Sequence, residues 1–122
     1  MTNFQVRPYS NISPIGLDKF NGTNCCVSEA SEEPDGILVR STKLNKNHLT
    51  KSLRAISRAG VGVNNIPVNL CTDKGIVVFN TPGANANAVK ELVLAGLMLS
   101  SRNVFPSIDF INGLEHLSDI KD

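Results

Sequence analysis

Two short runs, Gly36–Val39 and Ile76–Phe79, limit the kind of sheet this chain can build. Neither contains a polar residue to face water, so each predicts a strand buried on both faces, the signature of a parallel sheet. Each ends abruptly, the first in Arg40-Ser41-Thr42-Lys43 and the second in Asn80-Thr81-Pro82-Gly83. Leu53–Ser57 supplies a strand between them, and Phe4–Tyr9 and Cys25–Val27 supply two ahead of them. Helix signals fill the gaps. Ser13-Pro14 opens a helix over Ile15–Phe20, which Gly22 ends as a left-handed cap. Asn45 is a candidate N-cap for a helix reaching Ser52. Pro67 opens Val68–Lys74, with Lys74 as a basic last turn and Gly75 as its cap. Five strands alternating with short helices, about a dozen residues or more apart, predict an α/β fold: a flavodoxin-like, doubly wound, five-stranded parallel sheet.

In such sheets ligands bind outside the carboxyl ends of the strands. Two strand ends carry suitable chemistry. After the fourth strand, Ser57-Arg58-Ala59-Gly60-Val61-Gly62-Val63-Asn64-Asn65-Ile66 leads into a helix. Alternating glycines there let the backbone approach a small anion, such as a carboxylate, and turn N–H groups toward it. The same spacing also suits a tight strand–helix turn with no ligand. After the third strand stands Arg40, whose guanidinium can clamp a carboxylate or phosphate through two hydrogen bonds. A surface arginine paired with a nearby acid fits that position equally.

Composition narrows the function classes. A formal net charge of +1 and the lack of a basic stripe argue against a nucleic-acid partner. The longest apolar run, Val93–Leu99, falls far short of the roughly 20 residues that span a bilayer. The N-terminus has no apolar core of signal-peptide length, so we expect a soluble, cytoplasmic chain. Three cysteines, two of them adjacent (Cys25, Cys26 and Cys71), form neither a disulfide framework nor a zinc spacing. The acidic run Ser28–Asp35 has no accompanying histidine and reads as a solvated loop, so no metal site is expected. His48 stands alone and reads as a surface residue.

Ala84–Arg102 is the strongest helix signal. Polar residues sit at its ends, and Leu92–Leu99 is apolar all round, which calls for burial on every side. A single small domain does not cover such a helix, so a partner domain or subunit is expected. Pro106 admits a last helix with Ile108, Ile111, Leu114, Leu117 and Ile120 on one stripe. No helix stop signal precedes Asp122, so the chain is expected to continue in a longer protein.

From Leu53 onward the sequence resembles the D-isomer-specific 2-hydroxyacid dehydrogenases. The residues that carry the likeness are Leu53-Arg54-Ala55-Ile56-Ser57-Arg58-Ala59-Gly60-Val61-Gly62-Val63-Asn64-Asn65-Ile66 and the run from Lys74 through Asn80-Thr81-Pro82-Gly83 to Leu92. It spans Gly36 to about Arg102, and within the family it is nearest the members that act on 3-phosphoglycerate. The resemblance implies a parent enzyme of two domains. A flavodoxin-like substrate domain would take residues 1–84. Residues 85–122 would be a crossing helix and the start of an NAD-binding Rossmann domain absent from this chain. That second domain and a dimer partner would cover the apolar helix, giving a homo-oligomer through Ala88–Arg102.

The resemblance also implies a substrate-anion site at Arg40 and Ser41. Gly60 would free the turn, and the backbone amides of Val61 and Gly62 would hold the substrate carboxylate. Val61 would lie beside the nicotinamide of NAD, and Asn80–Asn85 would enter the interdomain cleft. Asn64 stands where many members have Asp. No G-x-G-x-x-G dinucleotide fingerprint occurs, and the family's catalytic Arg, Glu and His come later, so no catalytic residue is expected in this chain. His116 lies in the wrong segment to be that histidine. Other readings are an interaction module built on the apolar helix, the substrate domain for another D-2-hydroxy acid, and a flavodoxin or receiver-like domain. The last fits poorly: Arg40 stands where a receiver has Asp, and Ser10-Asn11-Ile12-Ser13-Pro14 lacks the glycine of a flavin phosphate loop.

Overall fold

The computed structural model describes residues 3–114. Leu117 and Ile120 of the expected stripe, and His116, lie outside the described residues. The chain divides into two units, Met1–Pro82 and Gly83–Asp122.

The first unit holds five strands: β1 (Phe4–Tyr9), β2 (Cys25–Val27), β3 (Gly36–Val39), β4 (Ala55–Arg58) and β5 (Val77–Phe79). They form one sheet in the order β2-β1-β3-β4-β5, with every pair parallel. This is the flavodoxin-like order, in which the winding reverses between β1 and β3. Pro8 sits within β1, where a proline is tolerated only if its missing N–H leaves no gap. It does so here because the β1–β2 pairing ends at Val6↔Val27.

Helix α1 (Pro14–Leu17) starts on its proline and tightens into a 3-10 turn over Asp18–Phe20. Helix α2 (Val68–Asp73) closes on Gly75, where φ is 69° and the Ile76 N–H reaches back to the Cys71 carbonyl at 2.8 Å. Lys74 does not serve the end of α2 as expected. Its Nζ donates across the unit to the Leu49 carbonyl at 2.7 Å.

Paired residues of a parallel sheet point to the same face, so the register divides the sheet into two faces. One face carries Ile37, Val39, Ile56 and Val78, and α2 and the 44–53 segment supply the opposing side chains Leu44, Leu49, Leu53 and Cys71. Burial raises the Cys71 thiol pKa, and the Lys74 charge offsets part of that rise. The other face is open at its β5 edge, where Val77 is 52% and Phe79 56% exposed. The expectation that β5 is buried on both faces is therefore corrected. An all-apolar run records a need for cover, and in this chain one face of the edge strand lacks it.

Two boundaries also move. The helix expected over Asn45–Ser52 is only a 3-10 turn, Lys46–His48. Leu44 and Leu49 are both buried. The chain leaves the turn at Leu49, with φ −91° and ψ 71°. The expected cap is present: Asn45 Oδ1 accepts the Asn47 N–H, and His48 Nδ1 accepts the Asn45 N–H. His48 is thus half-buried, a capping residue set edge-on to Tyr9 at 5.3 Å, and not a free surface histidine. Strand β4 begins at Ala55 and not at Leu53, because Arg54 and Ala55 both donate to the Asp35 carbonyl and fix the register at Gly36↔Ala55. Asp35 itself leaves the acidic run to accept the Gln5 N–H at 2.9 Å.

The second unit pairs α3 (Ala86–Ser101) with α4 (Val104–Gly113), joined through Asn103 at φ 54°. No residue of α3 is buried, and Leu92 is 74% exposed. No described helix is long and apolar enough to cross a membrane.

Candidate functional site

The expected site residues gather at the carboxyl edge of the sheet because β3 and β4 are neighbours and end together. The Ala59 N–H donates to the Val39 carbonyl at 2.8 Å, so the glycine loop starts hooked to the end of β3. The exit of β5 takes the loop's carbonyls. The Thr81 N–H donates to the Gly60 carbonyl at 3.0 Å, and Asn80 Nδ2 donates to that of Val61 at 2.8 Å. Among the described residues, the N–H groups of Val61 and Gly62 have no acceptor. The loop therefore keeps two adjacent donors free while the carbonyls of Gly60 and Val61 are taken, the polarity an anion requires.

Arg58 completes this loop, and the sequence reading missed it. A Cβ placed on Gly60 would lie 2.6 Å from Arg58 Nη1, and one on Gly62 would lie 3.7 Å from it. The guanidinium rests in space that the two glycines leave open. Its Nε donates to the Arg40 carbonyl at 3.2 Å. Asn65, also missed, ties the two strand ends from the far side. Its Nδ2 donates to the Thr42 carbonyl at 2.8 Å and the Arg40 carbonyl at 3.3 Å, and its Oδ1 is buried with no partner among the described residues. The signal for Arg58 was present, since it is a charged residue closing an apolar strand before a glycine. Asn65 gave none, because its role depends on the return of the chain to β3.

Arg40 is exposed beside an open hollow of about 470 Å³ lined by Ser10, Asn11, Arg40, Ser41 and Thr42. The hollow lies at the ends of β1 and β3, the switch point of the sheet. Among the described residues the one ion pair is Arg54–Asp35 at 3.8 Å, so Arg40 has no carboxylate partner and the surface-pair alternative finds no support. Ser41 borders the hollow, but its N–H is committed to Ser10 Oγ at 3.2 Å. Val61 is 50% exposed.

A model of the D-isomer specific 2-hydroxyacid dehydrogenase, catalytic domain, matches residues 20–113. The chain belongs to this family. The match takes in the Gly36–Arg102 stretch that carries the sequence resemblance. A D-3-phosphoglycerate dehydrogenase of Methanocaldococcus jannaschii is 40% identical over 79 residues, covering 62% of this chain and 15% of the relative. A hydroxypyruvate reductase of Thermotoga maritima is 48% identical over 71 residues, covering 56% of this chain and 23% of the relative. The chain thus spans under a quarter of the length of these family members. The fold is shared with a 3-phosphoglycerate dehydrogenase of Entamoeba histolytica solved with NAD+, at a TM-score of 0.65 and 23% identity over 80% of this chain and 39% of that one.

Proposed function

We propose that this chain is the substrate-binding part of an NAD-dependent D-3-phosphoglycerate dehydrogenase, which oxidises the 2-hydroxyl of D-3-phosphoglycerate in serine biosynthesis. One observation carries the reading: two arginines, Arg40 and Arg58, stand at adjoining strand ends, tied by the Arg58 Nε–Arg40 carbonyl bond, and the glycine loop that follows Arg58 carries two N–H groups, Val61 and Gly62, with no acceptor among the described residues. Two kinds of anion receptor side by side suit a small substrate with a carboxylate at one end and a phosphate at the other. The amides take the carboxylate, and Arg40 with Ser41 takes the phosphate. Relatives named D-3-phosphoglycerate dehydrogenase support the choice.

A second reading, the substrate domain for another D-2-hydroxy acid, is favoured by the hydroxypyruvate reductase relative. In either case residues 1–84 form the substrate domain, and residues 85–122 form the crossing helix and the start of a dinucleotide domain. The described residues fit one apolar wall beside a nicotinamide, at Val61, and they offer no glycine-rich helix start for a pyrophosphate. Bound elsewhere in a longer protein, the dinucleotide supplies hydride acceptance. What this chain supplies is the binding and orientation of the acid. No turnover is expected from the 122 residues alone, which an NADH absorbance assay on the pure chain checks. Self-association through the α3 residues Val89, Leu92, Val93, Leu97 and Leu99 completes the proposal.

The test is an NMR titration of the chain with 3-phosphoglycerate, with and without NAD, and separately with hydroxypyruvate. Amide shifts at Arg40, Ser41 and Gly60–Gly62, stronger for the phosphorylated acid, are expected. A stronger response to hydroxypyruvate moves the assignment to the second reading. Shifts at none of these residues with either acid overturn the site.

A further inference from the structure

The hollow beside Arg40 has a feature outside the roles assigned above. Ser10, the first residue after β1, holds φ at 69°, a left-handed conformation uncommon for a residue with a Cβ. Its hydroxyl is the hub of three hydrogen bonds across the switch point. It accepts the Thr42 N–H at 2.9 Å and the Ser41 N–H at 3.2 Å, and it shares a hydrogen with Thr42 Oγ1 at 2.7 Å. The partners lie 31 and 32 residues away in sequence, so the contact is tertiary. Neither N–H is part of the β-ladder, because the β1–β3 pairing stops at Tyr9↔Val39. Without the hydroxyl, the ties given for this turn among the described residues are those on the far side, from the Asn65 side chain and carbonyl and from Arg58.

We propose that Ser10 is a positioning residue for the phosphate subsite: held in a strained backbone conformation, its hydroxyl clasps the Ser41 and Thr42 amides and so sets the direction in which Arg40 meets the anion. The proposal rests on the phosphate assignment given to Arg40 above. The left-handed backbone is what brings the hydroxyl over from β1. An extended serine would point its side chain out of one face of the sheet and not sideways toward the turn after β3. Strain kept by surrounding contacts at a strand end beside a ligand hollow is a recurrent device for pre-organising a site. Arg40 is long and exposed, so its affinity for an anion depends on how much freedom its backbone retains before binding. Ser10 acts on Arg40 through the backbone and need not touch the substrate.

The test compares the wild-type chain with Ser10→Ala and Ser10→Gly. Alanine removes the hydroxyl and keeps the strained backbone, whereas glycine removes the hydroxyl and relieves the strain. If alanine compromises folding, glycine still carries the experiment. In Ser10→Gly the Ser41 and Thr42 amides should exchange faster with solvent. The dissociation constant for 3-phosphoglycerate should rise about tenfold, the scale of a lost pair of amide hydrogen bonds. At saturating ligand, the shifts at Val61 and Gly62 should remain those of wild type. An affinity within twofold of wild type, or unchanged exchange at Ser41 and Thr42, overturns the role of Ser10 alone. Loss of the Val61 and Gly62 shifts along with affinity also overturns it, since a merely structural role would disturb the whole edge. If the wild-type chain shows no shift at Arg40, Ser41 or Gly60–Gly62, the phosphate assignment falls and the inference falls with it.

Discussion

Replacing Gly60 with alanine tests how the loop is built. The added Cβ would stand 2.6 Å from Arg58 Nη1 and 3.1 Å from Cζ, whereas ordinary contacts begin near 3.4 Å. The guanidinium must therefore withdraw by about 0.8 Å. That withdrawal strains the Nε–Arg40 carbonyl bond, already 3.2 Å long. Losing an exposed bond of this kind costs up to about 1 kcal/mol. The backbone of Gly60, at φ 159°, adds a cost that no movement of Arg58 recovers. We expect a total of about 1–3 kcal/mol, the range for a residue forced into a region that glycine prefers. For a unit of this size each kcal/mol lowers the melting temperature by roughly 4–8 °C. Urea and thermal unfolding of Gly60→Ala, Arg58→Ala and the double variant form a cycle that separates the two costs. Gly60→Ala should cost less on the Arg58→Ala background, by about the 1 kcal/mol of the contact. An equal cost on both backgrounds would mean that the guanidinium does not occupy the loop, and the reasoning would be refuted.

Two other predictions follow from burial. The folded Cys71 thiol has a raised pKa, so its stabilising contribution is complete below the ordinary thiol range and is lost as pH rises from there through the folded value. Stability by urea unfolding should therefore fall on the alkaline side in wild type and stay flatter in Cys71→Ala; identical slopes would refute the assignment. A thiol reagent should label exposed Cys26 rapidly and Cys71 only on unfolding, and equal rates would contradict its burial. Leu92→Asp places a charge on the exposed apolar surface of α3, so it should shift light scattering from an associated species toward single chains. A clean wild-type monomer at high concentration would remove the basis for that expectation.

The sheet was legible because each of its rules is local. An apolar run bounded by polar residues marks a strand, and a proline or glycine marks where a helix starts or stops; β1, β2, β3 and α2 lie close to where those marks place them. The placement of Gly60, Val61, Gly62 and Arg40 at strand ends was legible for the same reason, since those strands are visible in the sequence. The misreadings arise where a distant segment decides. The turn at Lys46–His48 stops short where Leu49 leaves helical angles and enters the core, and no pattern within the segment states where the core lies. The apolar residues of β5 do not reveal that one face of the strand lacks cover.

The sequence by itself determined the strands, most of the helices, the parallel sheet and the family. Periodicity, caps and a long ordered match are all properties of neighbours along the chain. Only the tertiary structure decided that Arg58 fills the glycine loop, that Asn65 ties Arg40 to Thr42, and that Ser10 clasps the turn beyond Arg40. Those contacts join residues 18 to 32 positions apart or depend on a backbone angle, and they come into being only when parallel strands bring their carboxyl ends together.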